Sequence, residues 1–146
     1  MTLYTIGFAQ KSAEEFFGLL MAHGVRTLVD VRLNNRSQLA GFTKVRDFPF
    51  FLEKIAGIGY RHDDFLAPTK ALLDGYKKET VSWEEYERVY DAILRERDVA
   101  GRIAPAMYAD ACLLCSEPTA DRCHRRLAAE YLQKHFPCEK VRVVHL

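Results

Sequence analysis

The sequence predicts an α/β fold: a single layered domain over residues 1–146, with a mainly parallel central sheet flanked by helices. Three observations predict it. A strand pattern, a capped helix and a second strand pattern follow one another within roughly thirty residues, the length of a βαβ unit. Strand, helix and strand patterns recur at the C-terminal end. No repeat, low-complexity tract or linker breaks the chain, and its length suits one domain with a real core.

The elements follow in order. Leu3 to Gly7 is a short apolar β-prone run closed by glycine. Ser12 to Glu15 reads as a capping box, with Phe16, Leu19, Leu20 and His23 at helical spacing behind it and Gly24 as terminator. RTLVDVR is a buried-strand pattern ending in Asp30 and Arg32. A helix is expected from Asp47 to Ala56, with Pro49 in its first turn and Gly57 as stop, followed by the extended piece IGYRH. Thr69 to Lys78 suits a short helix with Lys70 and Tyr76 on its polar side. Ser82 to Glu85 is a second capping box, and Trp83, Tyr86, Val89, Tyr90, Ile93 and Leu94 form an apolar stripe running through to Arg97. After a loop with Pro105 come ACLLC as a strand, RCHRRLAAEYLQKHF as the last helix, starting near Thr119 to Asp121, and VRVVHL as the closing strand.

Composition narrows the function classes. With 49% hydrophobic and 28% charged residues and a formal net charge of +1, the chain has no global pull toward nucleic acid or acidic membrane. No uninterrupted apolar run approaches the ~20 residues of a membrane helix, and the first residues enter a strand rather than a leader. A cytoplasmic protein is the expectation. Cys112, Cys115, Cys123 and Cys138 are too few for a secreted disulfide scaffold and are expected as reduced thiols.

In open parallel sheets ligands bind beyond the carboxyl ends of the strands. Gly7, Asp30 with Arg32, and Cys115 with Glu117 all fall at such ends. The loop CSEPTAD then lies beside a helix N-terminus, which stabilises anions, a thiolate included. On the expected helix Cys123, His124, Leu127, Ala128 and Tyr131 face inward, Arg122 and Arg126 outward, with Arg125 on the flank. Cys115, Glu117 and His124 are therefore candidate catalytic groups. The plainer readings are a small buried thiol, a carboxylate at a helix end and a core histidine. Arg32 is either half of an anion clamp or the partner of Asp30 in an internal ion pair. Arg36, Ser37 and Tyr60 are further candidates for the ligand edge, with Gly7, Asp30, Arg32 and Arg125. No metal and no cofactor is expected: in a strand Cys112 and Cys115 point to opposite faces and cannot share an ion.

These residues resemble the family known as domain of unknown function 488. Thr5-Ile6-Gly7, the helix from Phe16 to Leu20, Leu28 to Arg32, Gly57-Ile58-Gly59-Tyr60, Leu113 to Glu117 and Cys123 to Arg125 match its pattern in order. Phe8-Ala9 replaces the family's usual histidine and serine, so any role of that histidine is absent, and NNRSQLAGF replaces its usual proline-and-arginine loop, which looks like a subgroup variant whose substrate need not be the family's usual one. The resemblance implies the fold and the place of the site but no particular reaction. The functional expectation is an enzyme acting on a small anionic or nucleotide-like substrate at the carboxyl edge of the sheet, Arg32 and Arg125 binding the anion. The alternative is a non-catalytic nucleotide- or nucleic-acid-binding module in which the Cys123-His124-Arg125 segment is structural.

Overall fold

The computed structural model describes residues 1–136 and 140–146; Cys138, the fourth thiol, lies outside the described residues. Its centre is a five-stranded sheet built from β1 (Thr2–Gly7), β2 (Thr27–Asp30), β3 (Gly59–His62), β4 (Ala111–Cys115) and β5 (Arg142–His145), in the order β3-β2-β4-β1-β5. Every strand pair is parallel. IGYRH thus supplies a sheet strand, and ACLLC is the fourth in chain order.

Around the sheet lie α1 (Ala13–Ala22), α2 (Phe48–Phe51, running into a π turn at Leu52–Ala56), α3 (Lys70–Lys77), α4 (Trp83–Glu96), the short α5 (Val99–Arg102) and α6 (His124–His135). Both capping boxes place their serine as the pattern requires: the Ser12 and Ser82 hydroxyls accept the N–H groups of Glu15 and Glu85, each at 3.1 Å. Gly57 ends the π turn with a left-handed φ of 63°, a conformation glycine adopts without a Cβ penalty.

The three inner strands β1, β2 and β4 are largely buried on both faces because alternate residues feed two separate cores. Leu28, Cys112 and Leu114 join Ile6, Phe16, Phe17, Leu20, Phe48 and Leu52 beneath α1 and α2. Val29 and Leu113 point the other way and pack with Tyr86, Tyr90, Leu94, Ala128 and Leu132 from α4 and α6. This period-2 division explains the continuous apolar runs in β2 and β4.

Three expectations about local structure are corrected. The last helix begins at His124 rather than near Thr119 to Asp121, because the chain through Glu117 is curled back and tied down by Arg125, and Cys123 is still extended at φ −137° and ψ 137°. Arg125 is fully buried instead of lying on the flank, its guanidinium bonded to the Glu117 carbonyl and to Thr5. Tyr76 leaves the polar side of α3 to pack on Trp83 and Tyr86, with ring centroids 5.5 and 5.3 Å away.

Candidate functional site

β4 lies between β1 and β2, so the segments leaving those three strands meet at one edge of the sheet. α1 leaves β1 for one face, whereas α6 leaves β4 for the other. A topological switch of this kind opens a crevice at the carboxyl ends. Here it holds a cavity of about 250 Å³ bounded by Arg32 to Asn34 after β2, Cys115 to Glu117 after β4, Arg122 to His124 at the start of α6, and Tyr76, Lys77, Trp83 and Tyr86 from α3 and α4.

Its floor is sulfur. Cys115 ends β4 on the face opposite Cys112, as strand alternation requires, and Cys123 precedes the first turn of α6. The Cys123 thiol donates to Cys115 Sγ at 2.9 Å, and His124 Nδ1 lies 3.8 Å from the same sulfur. His124 Nε2 faces the Val31 carbonyl at 2.8 Å. A carbonyl only accepts, so Nε2 carries a proton and Nδ1 is the nitrogen turned to Cys115.

These contacts divide the two thiols. The Cys123 S–H bond, opposed by burial and aided by the charge and hydrogen bond of His124 and by the Glu117 backbone N–H, holds Cys115 well below the usual thiol value. Cys123 is driven up, first by giving its hydrogen to Cys115 and then by burial. Burial would lower His124, but the Cys115 thiolate raises it overall. Both directions favour a thiolate beside a protonated imidazole, a pairing that sustains nucleophilic sulfur chemistry.

Arg125 builds the wall behind the sulfurs. Its Nη1 donates to the Glu117 carbonyl at 2.6 Å and lies 3.7 Å from Cys123 Sγ, while Nε reaches Thr5 Oγ1 at 3.4 Å. The Glu117 carbonyl rests against Gly7: a Cβ there would overlap that oxygen and crowd Arg125 Nη1. Gly7 therefore serves as the seat of the loop. Glu117 itself is exposed at the cavity mouth.

Arg32 is 3% exposed and its donors are engaged. Nε and Nη2 grip the two Asp30 oxygens at 2.9 Å each, and Nη1 and Nη2 bond the Thr43 hydroxyl and carbonyl at 2.8 and 2.7 Å. Tyr60 donates to the same carboxylate at 2.7 Å, and Asn35 completes the cluster. Burial would raise Asp30, but the Arg32 fork and the Tyr60 hydroxyl hold it below its usual value. Of the two roles open to Arg32, the internal ion pair is the one its contacts fulfil. Arg36 and Ser37 border a separate cleft with Asn35, His62 and Asp64, and Ser37 caps the turn at Gln38–Thr43.

The sequence reading did not single out Lys77, Trp83, Tyr86 and Arg122 as site residues, took Tyr76 at this edge as packing, and weighed Cys123 only as a metal ligand. Trp83 and Tyr86 stack at 5.0 Å and form a flat aromatic wall, although their spacing on α4 reads as core stripe. Lys77 and Arg122 put positive charge on the rim. Among the described residues Cys115, Cys123 and His124 also bring three donor atoms within 4.8 Å of one another, close enough to surround a thiophilic cation. Arg125 beside Cys123 opposes that use.

A family model described as domain of unknown function DUF488 matches residues 12–132. No curated protein and no solved structure matches the chain.

Proposed function

The chain belongs to the family of domain of unknown function DUF488, whose description carries no reaction, and we propose from its site that it is an enzyme using Cys115 as a nucleophile on a small, flat, anionic or nucleotide-like substrate. The observation that carries this reading is the Cys115 sulfur at the cavity floor, with the Cys123 thiol 2.9 Å away and a tautomer-fixed His124 beside it. The stacked Trp83 and Tyr86 rings suit a planar group, and Lys77 and Arg122 suit its negative charge. Arg125, bonded only to neutral partners, acts through its positive field rather than by direct grip, whereas the charge of Arg32 is neutralised by Asp30.

In this mechanism Cys115 attacks an electrophilic atom of the substrate held against the aromatic wall. His124 gives its Nδ1 proton to the departing group, and Nε2 stays bonded to Val31 throughout, which keeps the ring oriented. Water then attacks the same substrate atom, returns a proton to His124 Nδ1 and displaces the sulfur, and the Glu117 N–H and the Cys123 thiol stabilise the sulfur anion before attack and as it leaves again.

Limited alkylation with iodoacetamide at neutral pH, followed by peptide mapping, tests the reading. Cys115 is expected to label ahead of Cys112 and Cys138, and a mononucleotide is expected to slow that labelling. If Cys115 reacts no faster than Cys138, the nucleophile is lost and with it the proposal.

A further inference from the structure

We propose that Cys115 and Cys123 form a reversible redox couple in which a small peroxide entering the cavity oxidises Cys115 and Cys123 closes it into a disulfide, switching the site off. The inference rests on the reading of Cys115 as a reactive thiol and adds a regulatory chemistry to it. Its basis is placement. The two sulfurs are 2.9 Å apart, and closing to the ~2.05 Å of a disulfide asks for less than about 1 Å of movement. Cys112 cannot compete for Cys115, because it faces the opposite core beside Leu114 and Phe16.

The surroundings permit that movement. The loop between the two cysteines is held at the Glu117 carbonyl, but beyond that anchor Thr119, Asp121 and Arg122 are exposed, so the stretch leading into Cys123 can yield without disturbing either core. The cavity above the sulfurs, about 250 Å³, has room for a molecule the size of hydrogen peroxide. A single thiol in such a place would run on to sulfinic acid; a second thiol in contact diverts it.

The steps balance. The Cys115 thiolate attacks one peroxide oxygen, the O–O bond breaks, and the hydroxide that leaves takes up a proton to become water. Cys115 is then a sulfenic acid. Cys123 sulfur attacks Cys115 Sγ, the S–O bond breaks, and the departing hydroxide takes the Cys123 proton as a second water. The dithiol has lost two electrons and the peroxide has gained them. Two equivalents of a low-molecular-weight thiol reverse the change, forming their own disulfide and restoring both cysteines.

The test is oxidation of fully reduced protein with hydrogen peroxide at neutral pH, then blocking of free thiols and peptide mapping without reductant. The expected result is a Cys115–Cys123 crosslinked peptide, a mass lower by two hydrogens, loss of iodoacetamide labelling at Cys115, and recovery of both with dithiothreitol. In Cys123→Ser, Cys115 is expected to form a sulfenic acid that dimedone captures and that, without dimedone, runs on to sulfinic acid with no crosslink; the wild-type crosslink decides the matter if that variant does not fold. Sulfinic acid at Cys115 with Cys123 still free, or a crosslink from Cys115 to Cys138, overturns the couple. Fast alkylation of Cys115 without any crosslink overturns the couple alone, whereas a Cys115 inert to both reagents overturns the nucleophile as well.

Discussion

Replacing Arg32 by alanine removes a guanidinium that holds both oxygens of Asp30 and two groups of Thr43. Asp30 is 0% exposed, so no water replaces the lost fork, and only Tyr60, Asn35 and the backbone N–H of residue 32 remain as donors. Stripping one partner from a buried pair costs about 3 to 5 kcal/mol. At roughly 3 °C per kcal/mol for a domain of this size, the melting temperature should fall by roughly 10 to 15 °C. Urea unfolding followed by circular dichroism measures the same loss isothermally, and Arg36→Ala on the exposed loop, expected within about 0.5 kcal/mol of wild type, is the control. Acidity adds a signature. Because Asp30 is held below its usual 3.8, it stabilises wild type above that value, and the contribution fades as pH falls through the lower folded value. In the variant burial is no longer outweighed, so the uncompensated carboxylate is worst near neutrality and relieved by protonation. The gap between the two proteins should therefore narrow below about pH 4. A loss under about 1 kcal/mol, or a gap that stays constant into acid, refutes the account of Arg32 as an internal clamp.

Three further outcomes follow from the site. The alkylation rate of Cys115 should stay flat well below pH 9.0, the ordinary thiol value, whereas Cys112, buried and pushed up, should label only on unfolding; a Cys115 rate that rises steeply through pH 9.0 contradicts the thiolate. Gly7→Ala should displace the Glu117 carbonyl, costing about 1 to 3 kcal/mol and slowing Cys115 labelling, and unchanged stability and labelling would show the loop is not seated there. Protein purified without chelator should carry well under one equivalent of zinc by elemental analysis, since Arg125 crowds Cys123; a full equivalent would replace the free-thiol site with a metal centre.

Much of the architecture was legible because it is written locally. Ser12 and Ser82 announce their helices by spacing alone, and the runs in β2 and β4 announce strands covered on both sides. The edge of the sheet that gathers Gly7, Asp30, Arg32 and Cys115 followed from that pattern and the rule for parallel sheets. What was not legible depends on long-range ties. Arg125 becomes a buried wall only because it bonds Glu117 and Thr5, the second of these 120 positions away, and that tie delays the helix and carries Cys123 onto Cys115. Strand geometry correctly separates Cys112 from Cys115, but periodicity carries no information about a thiol arriving from beyond a loop. Trp83 and Tyr86 share the spacing of their buried neighbours, and only the placement of α3 against α4 turns them into a wall.

The position of β4 has a consequence for how the chain matures. β1 and β2 are completed early in the sequence, yet they flank a slot that stays open until Ala111–Cys115 arrive some eighty residues later. A growing chain short of that point carries two facing strand edges with nothing between them, the condition under which chains stick to one another. The strand that closes the slot is also the one that brings the reactive sulfur. Nascent or unfolded protein therefore presents ordinary thiols, and their special chemistry switches on only after β4 has entered the slot and Cys123 and His124 have followed it.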